Sequence, residues 1–210
     1  MTYSYNQVYL NDAMNNMAEA FEIAAHIYKL NLDYFLQIFI ISGIASQFEK
    51  GNPKYIAGKS GAELVADAVI LTNASEVKMP ETSFINISEE YWTGWVTAYY
   101  QWISGKTFKE IQQIISMSEL KNKYNPYHEM DEMQIVDYIQ SKADKINAVN
   151  RLQMYRKMLG LSQSELATEA DVNLRTLQQY EIGAKDIHKA SVSTIASLAK
   201  VLKCEIKNLL

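Results

Sequence analysis

Apolar residues recur along this chain at helical spacing, three and four positions apart. Segments with this pattern cover residues 6–30, 32–49, 62–72, 89–104, 108–117 and 130–148. Such spacing matches the period of an amphipathic α-helix that buries one face. Sustained alternation of apolar and polar residues, which is typical of a strand, is not seen. The pattern predicts an all-α fold in which residues 73–88 are irregular, either as a loop or with a short strand at 83–87.

Four predicted helix starts carry the same local signal. A Ser or Thr stands three positions before a Glu, so that hydroxyl and carboxylate can satisfy each other's unpaired backbone N–H groups in a capping box. The pairs are Ser60 with Glu63, Thr107 with Glu110, Ser116 with Glu119, and Ser162 with Glu165.

Charge and aromatic residues divide the chain into two regions. The net charge is −4 over 210 residues, but residues 151–210 hold nine Lys and Arg against six acidic residues, about +3. All three Arg lie in this part, whereas all Trp and Phe lie before residue 110. Two compositions indicate two domains, predicted as 1–145 and 146–210, with a helical connector near 142–150. Phosphate would attract the second domain and repel the first.

The cysteine content, the first residues and the longest apolar run indicate the cellular compartment. Cys204 is the only cysteine, which rules out an internal disulfide framework and fits a reducing cytoplasm. The first residues lack the basic run and apolar core of a signal peptide. The longest apolar run, residues 35–45, is too short to span a bilayer. We therefore expect a cytoplasmic protein without a membrane partner.

The region from residue 159 to residue 187 has the spacing of two helices joined by a four-residue turn. Asp171 occupies the turn position that favours positive φ, and Asn173 is a suitable N-cap for the following helix. Ser191 can cap a further helix. The periodicity predicts a core from Leu152, Tyr155, Leu159, Leu161, Leu166, Ala167, Val172, Leu177, Tyr180, Val192, Ile195, Leu198, Ala199, Leu202, Ile206, Leu209 and Leu210.

Residues 150–210 resemble the phage-repressor (XRE, Cro-like) helix-turn-helix family. The resemblance rests on the LSQSELA run, the Val172-Asn173 turn and the Tyr180-Glu181-x-Gly183 ending, and it departs mildly at Asp171 and Ile182. It implies a five-helix, lambda-repressor-like domain that binds double-stranded DNA, with its third helix in the major groove. Because a net charge of about +3 is modest, one copy would bind weakly, and a homodimer that reads two half-sites is the expected unit. The N-terminal part resembles, more loosely, a helical module joined to such domains, which implies a protein-interaction role.

The resemblance also implies which side chains meet DNA. Base edges would be read by Leu174, Arg175, Gln178 and Gln179, and the phosphate backbone would be met by Ser162, Gln163, Asn173, Thr176 and Lys185. Two alternatives remain open: a helical bundle whose polar residues form only a solvated face, and a helix-turn-helix that serves in protein contact.

The N-terminal region contains motifs that suggest other chemistry. Gly58-Lys59-Ser60 lacks the preceding strand and the upstream Gly of a Walker A loop, so Ser60 is expected to cap a helix. Trp92, Trp95, Tyr99 and Trp102 form one helical stripe, which is either core or a surface for a protein partner. His26, His128 and His188 are isolated in sequence, so no metal or other cofactor is expected.

Two functions fit these observations. The first is a sequence-specific transcriptional regulator, a repressor that reads a palindromic operator as a dimer. The second is the antitoxin of a toxin–antitoxin pair, whose N-terminal domain neutralises the toxin while its C-terminal domain represses the operon. Neither requires catalysis, and no nucleophile–base arrangement stands out, so we do not expect an enzyme.

Overall fold

The computed structural model describes residues 3–78 and 88–210, and within these residues every regular element is helical. The all-α prediction is confirmed for this part of the chain. The strand considered at 83–87 lies outside the described residues. The chain divides into two compact units, Met1–Asp137 and Tyr138–Leu210.

The first unit contains a series of helices of unequal length. They are α1 (Leu10–His26), α2 (Leu32–Ile41), α3 (Ile44–Glu49), α4 (Pro53–Ile56), α5 (Gly61–Thr72), α6 (Glu89–Ser104), α7 (Phe108–Ile114), α8 (Met117–Lys121) and α9 (Tyr124–Tyr127), with a 3-10 turn at Gln7–Tyr9. Helix α10 (Glu132–Met158) begins in the first unit and ends in the second. The second unit continues with α11 (Gln163–Glu169), α12 (Leu174–Glu181) and α13 (Val192–Val201), and with 3-10 turns at Ile187–Lys189 and Ile206–Asn208.

Local capping determines where many of these helices begin. Ser60, Thr107 and Ser162 form reciprocal capping boxes with the glutamates three positions later, as predicted. The Ser116 side chain accepts the backbone N–H of Glu119 at the start of α8. These bonds satisfy donors that have no partner within the helix, so they define the first turn.

Two predicted helices are interrupted in the structure. The segment 32–49 breaks at Ser42 and Gly43, because Gly43 adopts a left-handed conformation with φ of +79°. The segment 108–117 ends at Ile114, because Ile115 is extended and α8 then begins anew. Apolar residues continue across both breaks, so periodicity alone did not reveal them.

In the first unit, α1 packs against both α5 and α6. Gly94 permits the close approach of α6, since a Cβ there would lie 2.5 Å from the carbonyl oxygen of Met17. Beside this contact, aromatic rings pack mostly edge to face, a preferred geometry for such pairs. The rings belong to Phe21, Phe35, Phe39, Phe48 and Phe108, and neighbouring centroids are 5.3–6.2 Å apart.

In the second unit, a core forms around α11, α12, α13 and the end of α10. Its buried members include Leu152, Leu166, Ala167, Leu177, Tyr180, Leu198, Ala199, Leu202 and Leu209, as predicted. The prediction is wrong for Leu159, Val192 and Ile206, which are 41%, 78% and 42% exposed. All three lie at or beyond the end of a regular helix or in its first turn, where helical spacing no longer specifies the direction of a side chain. The fifth helix expected from the resemblance is the 3-10 turn Ile206–Asn208.

Candidate nucleic-acid interface

A four-residue turn, residues 170–173, joins α11 to α12. Asp171 adopts positive φ (52°), as its position in the turn predicts. The Oδ1 atom of Asn173 accepts the backbone N–H groups of Arg175 and Thr176 at 3.0 and 3.3 Å. Turn and cap together specify where α12 begins and in which direction it leaves the turn.

The inner faces of α11 and α12 are closely packed. Leu166 and Leu177 are fully buried, and Tyr180 is 4% exposed. Ala167 is 5% exposed, and its small side chain suits a close crossing of two helices. The burial of these residues leaves the opposite face of α12 for solvent or a ligand.

The four predicted base-reading residues share this outer face. Leu174 and Gln178 are one helical turn apart, as are Arg175 and Gln179, and the two pairs lie side by side. Leu174 is 39% exposed, Arg175 and Gln178 are also exposed, and Gln179 is half-buried. The structure therefore groups two amides, a guanidinium and one apolar side chain on a single helix surface.

The residues predicted to meet the phosphate backbone occupy more varied positions. Ser162 and Asn173 are exposed, but their side-chain oxygens already accept backbone N–H groups as helix caps. Thr176 is half-buried. Lys185 is exposed, and its Nζ lies 5.7 Å from the centre of the Tyr180 ring. Of this group, Lys185 has the exposed cationic side chain suited to a phosphate.

Gln163 connects the outer face to the interior. Its Nε2 donates to Oε2 of Glu181 at 2.7 Å, and its Oε1 lies 3.5 Å from Nε2 of Gln178. Gln163 starts α11 and Gln178 lies on α12, so this series of contacts couples the orientations of the Gln163 and Gln178 side chains.

A buried ion pair between Arg156 and Glu181 lies at the inner end of this series of hydrogen bonds. Arg156 donates from Nε and Nη2 to the two carboxylate oxygens of Glu181 at 2.6 and 2.9 Å, and from Nη1 to the carbonyl oxygen of Leu161 at 2.8 Å. Arg156 is 9% exposed and Glu181 is 1% exposed. The bidentate geometry connects the end of α10 to the end of α12.

The pair between Arg156 and Glu181 was not predicted, although the sequence carries a signal for it. Arg156 stands four positions after Leu152, and Glu181 stands four positions after Leu177, and both leucines are fully buried. Helical spacing thus places both charges on buried faces. Two opposite charges at such positions indicate a buried pair, since an unpaired buried charge is very costly.

The pKa of the Glu181 carboxyl group reflects its two partners. Burial acts to raise this pKa, but hydrogen bonds from Arg156 and Gln163, together with the charge of Arg156, outweigh it and lower the pKa below its usual value. Hydrogen bonding to Glu181 also raises the pKa of Arg156. The pair therefore stays charged at neutral pH.

The aromatic stripe of the first unit divides into two buried and two half-buried residues. Trp92 is 8% exposed, and Trp102 is 4% exposed and stacks on Tyr3 with centroids 4.0 Å apart. These two belong to the interior, so the partner-surface interpretation does not hold for them. Trp95 and Tyr99 are half-buried, and their rings are stacked with centroids 5.9 Å apart.

The other motifs of the first unit have structural roles. Ser60 caps α5, and Lys59 forms an ion pair with Asp67 at 2.5 Å, which agrees with the helix-cap interpretation of Gly58-Lys59-Ser60. His128 stacks on the Tyr124 ring at 4.0 Å.

Another histidine departs from the prediction. His26 is not isolated in space, because Glu22 and Glu90 lie beside it. The signal from Glu22, four positions earlier on the same helix, was visible in the sequence.

Comparisons with known proteins bear on the second unit alone. A helix-turn-helix family model matches residues 152–209. No curated protein and no solved structure matches the chain significantly. Among the described residues, no helix is both long and apolar enough to cross a membrane. The match and the geometry of α11, the turn and α12 agree: the C-terminal third of the chain is a helix-turn-helix domain of the XRE/Cro-like type, the kind found in DNA-binding regulators.

Proposed function

We propose that this protein is a sequence-specific transcriptional regulator that inserts α12 into the major groove of duplex DNA. The observation that carries the proposal is the outer face of α12, where Arg175, Gln178 and Gln179 lie together on the second helix of the turn. Helix-turn-helix proteins place this helix in the major groove, with its N-terminal residues at base edges.

The residue types on this face suit base recognition. The Arg175 guanidinium can donate two bonds to O6 and N7 of guanine, and a glutamine amide can pair with N6 and N7 of adenine. Leu174 can pack on a thymine methyl group. Lys185 supplies a positive charge for a phosphate, which contributes affinity without sequence preference.

We further propose that the active unit is a homodimer on a palindromic operator, acting as a repressor. Residues 151–210 carry a net charge of only about +3, and α12 presents only a few side chains to base edges in one copy. Two copies reading half-sites about 34–36 Å apart would double these contacts. Analytical ultracentrifugation with a half-site and a full-site duplex tests this, and a single copy bound to the full site argues against it.

The central test uses the double substitution Arg175→Ala and Gln179→Ala in the full chain. A binding site is first selected from random duplex DNA and then located by footprinting. Each lost base contact is expected to cost about 1–3 kcal/mol, roughly 5- to 150-fold in affinity. Lys200→Ala is the matched control, because it removes an exposed positive charge from α13 of the same unit.

The two variants distinguish base reading from general electrostatics. We expect Lys200→Ala to bind the selected site nearly as the wild type does, and the double variant to lose the footprint while its circular dichroism is unchanged. A double variant that still protects the same site with the same affinity would show that α12 is not the reading helix.

A second candidate function is that of an antitoxin, with the first unit binding a protein toxin. The specific observation in its favour is the stacked, half-buried pair Trp95 and Tyr99, because aromatic side chains of this kind anchor protein interfaces. Trp95 also lines a cavity of about 250 Å³ with Tyr91 and Tyr127. A neighbouring gene whose product is toxic only when this chain is absent would favour this function over repression alone. We then expect that the toxic protein binds the wild-type chain and fails to bind the Trp95→Ala variant.

A further inference from the structure

Three side chains with metal-binding chemistry meet where α1 and α6 pack together. Glu22 and His26 are four residues apart and therefore lie on one face of α1. Glu90 belongs to the first turn of α6. Each of the three offers a ligand atom, and these atoms all lie within 4.8 Å of one another.

The separations around the imidazole match those between ligands of one ion. Nε2 of His26 lies 3.6 Å from Oε1 of Glu22 and 3.4 Å from Oε2 of Glu90. Zinc bonds to nitrogen and carboxylate oxygen of about 2.0–2.2 Å place tetrahedral ligand atoms roughly 3.3–3.6 Å apart. Both separations from the ring nitrogen match this spacing, and the two carboxylate oxygens lie within 4.8 Å of each other.

Each carboxylate is held from outside the cluster by its other oxygen. Ser88 Oγ donates to Oε2 of Glu22, and Lys121 Nζ donates to Oε1 of Glu90 at 3.1 Å. The oxygens nearer to His26 are therefore turned toward the imidazole. Hydrogen bonds of this kind orient carboxylate ligands in metal sites, where an outer shell of partners fixes the inner ligands.

Burial is uneven across the three residues. Glu22 is only 5% exposed, and the side chain of Glu90 is 16% exposed. The side chain of His26 is 51% exposed, so the cluster opens to solvent on that side. An ion can enter there and complete its coordination with water, while its charge compensates the two acidic groups that the fold places together.

We propose that Glu22, His26 and Glu90 form a binding site for a divalent transition-metal ion of the zinc class. The mixed nitrogen and oxygen ligand set favours such an ion over Ca²⁺ or Mg²⁺, which prefer oxygen ligands throughout. A bound ion connects α1 to α6 and stabilises the first unit. This proposal does not depend on DNA binding, and its failure leaves the function proposed above unaffected.

The test is calorimetric titration of Zn²⁺ into the full chain after removal of metals with a chelator. We expect one site per chain in the wild type and a rise in the Tm of the first unit, since a ligand that binds only the folded state stabilises it. His26→Gln removes an inner ligand and is expected to weaken binding by more than the roughly 10- to 100-fold typical of losing an outer partner. Glu90→Gln should act in the same direction.

A matched control removes the remaining histidines and the thiol. These are His128, His188 and Cys204, replaced together by Gln, Gln and Ser. We expect this triple variant to bind Zn²⁺ as the wild type does. Co²⁺ adds a spectroscopic readout, because its visible absorption reports tetrahedral coordination and should disappear in His26→Gln.

Three results would overturn the proposal. Binding that persists unchanged in His26→Gln places the metal elsewhere, and binding lost only in the triple control variant assigns it to the other histidines or the thiol. Absence of Zn²⁺ binding at concentrations of roughly 100 μM, far above the Kd of a functional zinc site, would reduce the cluster to contacts between His26 and two carboxylates.

Discussion

The buried pair between Arg156 and Glu181 is expected to contribute strongly to the stability of the helix-turn-helix domain. The informative perturbation is Arg156→Met, because methionine retains much of the apolar stem and removes the guanidinium. Glu181 then keeps its 2.7 Å bond from Gln163 but loses both bonds from Arg156. The variant therefore leaves a carboxylate that is 1% exposed without its counter-charge.

The magnitude follows from this geometry. Removing one partner of a buried ion pair typically costs about 3–5 kcal/mol. The remaining bond from Gln163 offsets about 1 kcal/mol of that, so we expect a loss of about 3 kcal/mol in the free energy of unfolding of the second unit. A loss of this size corresponds to roughly 150-fold faster amide exchange for protons that exchange by unfolding of the domain.

Native-state hydrogen exchange of the full chain measures this loss element by element. Backbone amides of α12, such as that of Leu177, should lose protection in Arg156→Met. Amides of α6 serve as the internal control, because they belong to the first unit. The double variant Arg156→Met with Glu181→Leu is expected to recover most of the loss, since apolar residues of similar volume often replace a buried pair at little cost.

The pair also predicts how stability depends on pH. The pKa of Glu181 is lowered in the folded state, so its stabilising contribution is present above the unfolded pKa of about 4.3 and is lost as the pH falls through the folded pKa. This acid-sensitive contribution should be reduced in Arg156→Met. A change in α12 amide exchange of less than about fivefold in Arg156→Met would contradict a stabilising role for the pair. A double variant as unstable as the single one would contradict it as well.

Three further substitutions test the packing and turn arguments. Gly94→Ala should destabilise the first unit by about 1–3 kcal/mol or more, because the new Cβ would lie 2.5 Å from the Met17 carbonyl oxygen. Urea denaturation followed by Trp fluorescence measures this loss, and an unchanged midpoint would mean that α1 and α6 can move apart at no cost. Residue 171 has φ of 52°, so Asp171→Gly should be neutral or stabilising by up to about 1 kcal/mol, whereas Asp171→Val should be destabilising by about 1–3 kcal/mol. Amide exchange of α11 and α12 measures both changes. Equal effects of the two variants would mean that positive φ at this position does not affect stability. Asp33→Ala should cost about 1–2 kcal/mol in the same urea assay, because the Asp33 carboxylate accepts the first two backbone N–H groups of α8; a loss below about 0.3 kcal/mol would mean that water replaces it.

Helix starts and the exposed outer face of α12 were predictable because they depend on residues close in sequence. A capping box such as Ser162 with Glu165 spans three positions, and both partners lie in the same first turn. The outer face of α12 follows from helical spacing once Leu177 and Tyr180 are placed inside. The same local rules predicted positive φ at Asp171 and the cap at Asn173.

Helical spacing did not predict which aromatic side chains of α6 are buried. The stripe of Trp92, Trp95, Tyr99 and Trp102 lies along one helix, yet two of its members are buried and two are half-buried. What decides between them is the arrangement of Tyr3, Tyr124 and the other neighbours around α6. Those neighbours come from distant parts of the chain, so no periodicity within α6 reports them.

By itself, the sequence determined the helical class, most helix starts and the helix-turn-helix with the exposed outer face of its second helix, since each depends on interactions over a few residues. Only the tertiary structure decided which charges meet. Arg156 pairs with Glu181 across 25 positions, and His26 lies beside Glu90 across 64. Such partners are brought together by the packing of whole helices, and packing depends on all the buried surfaces at once.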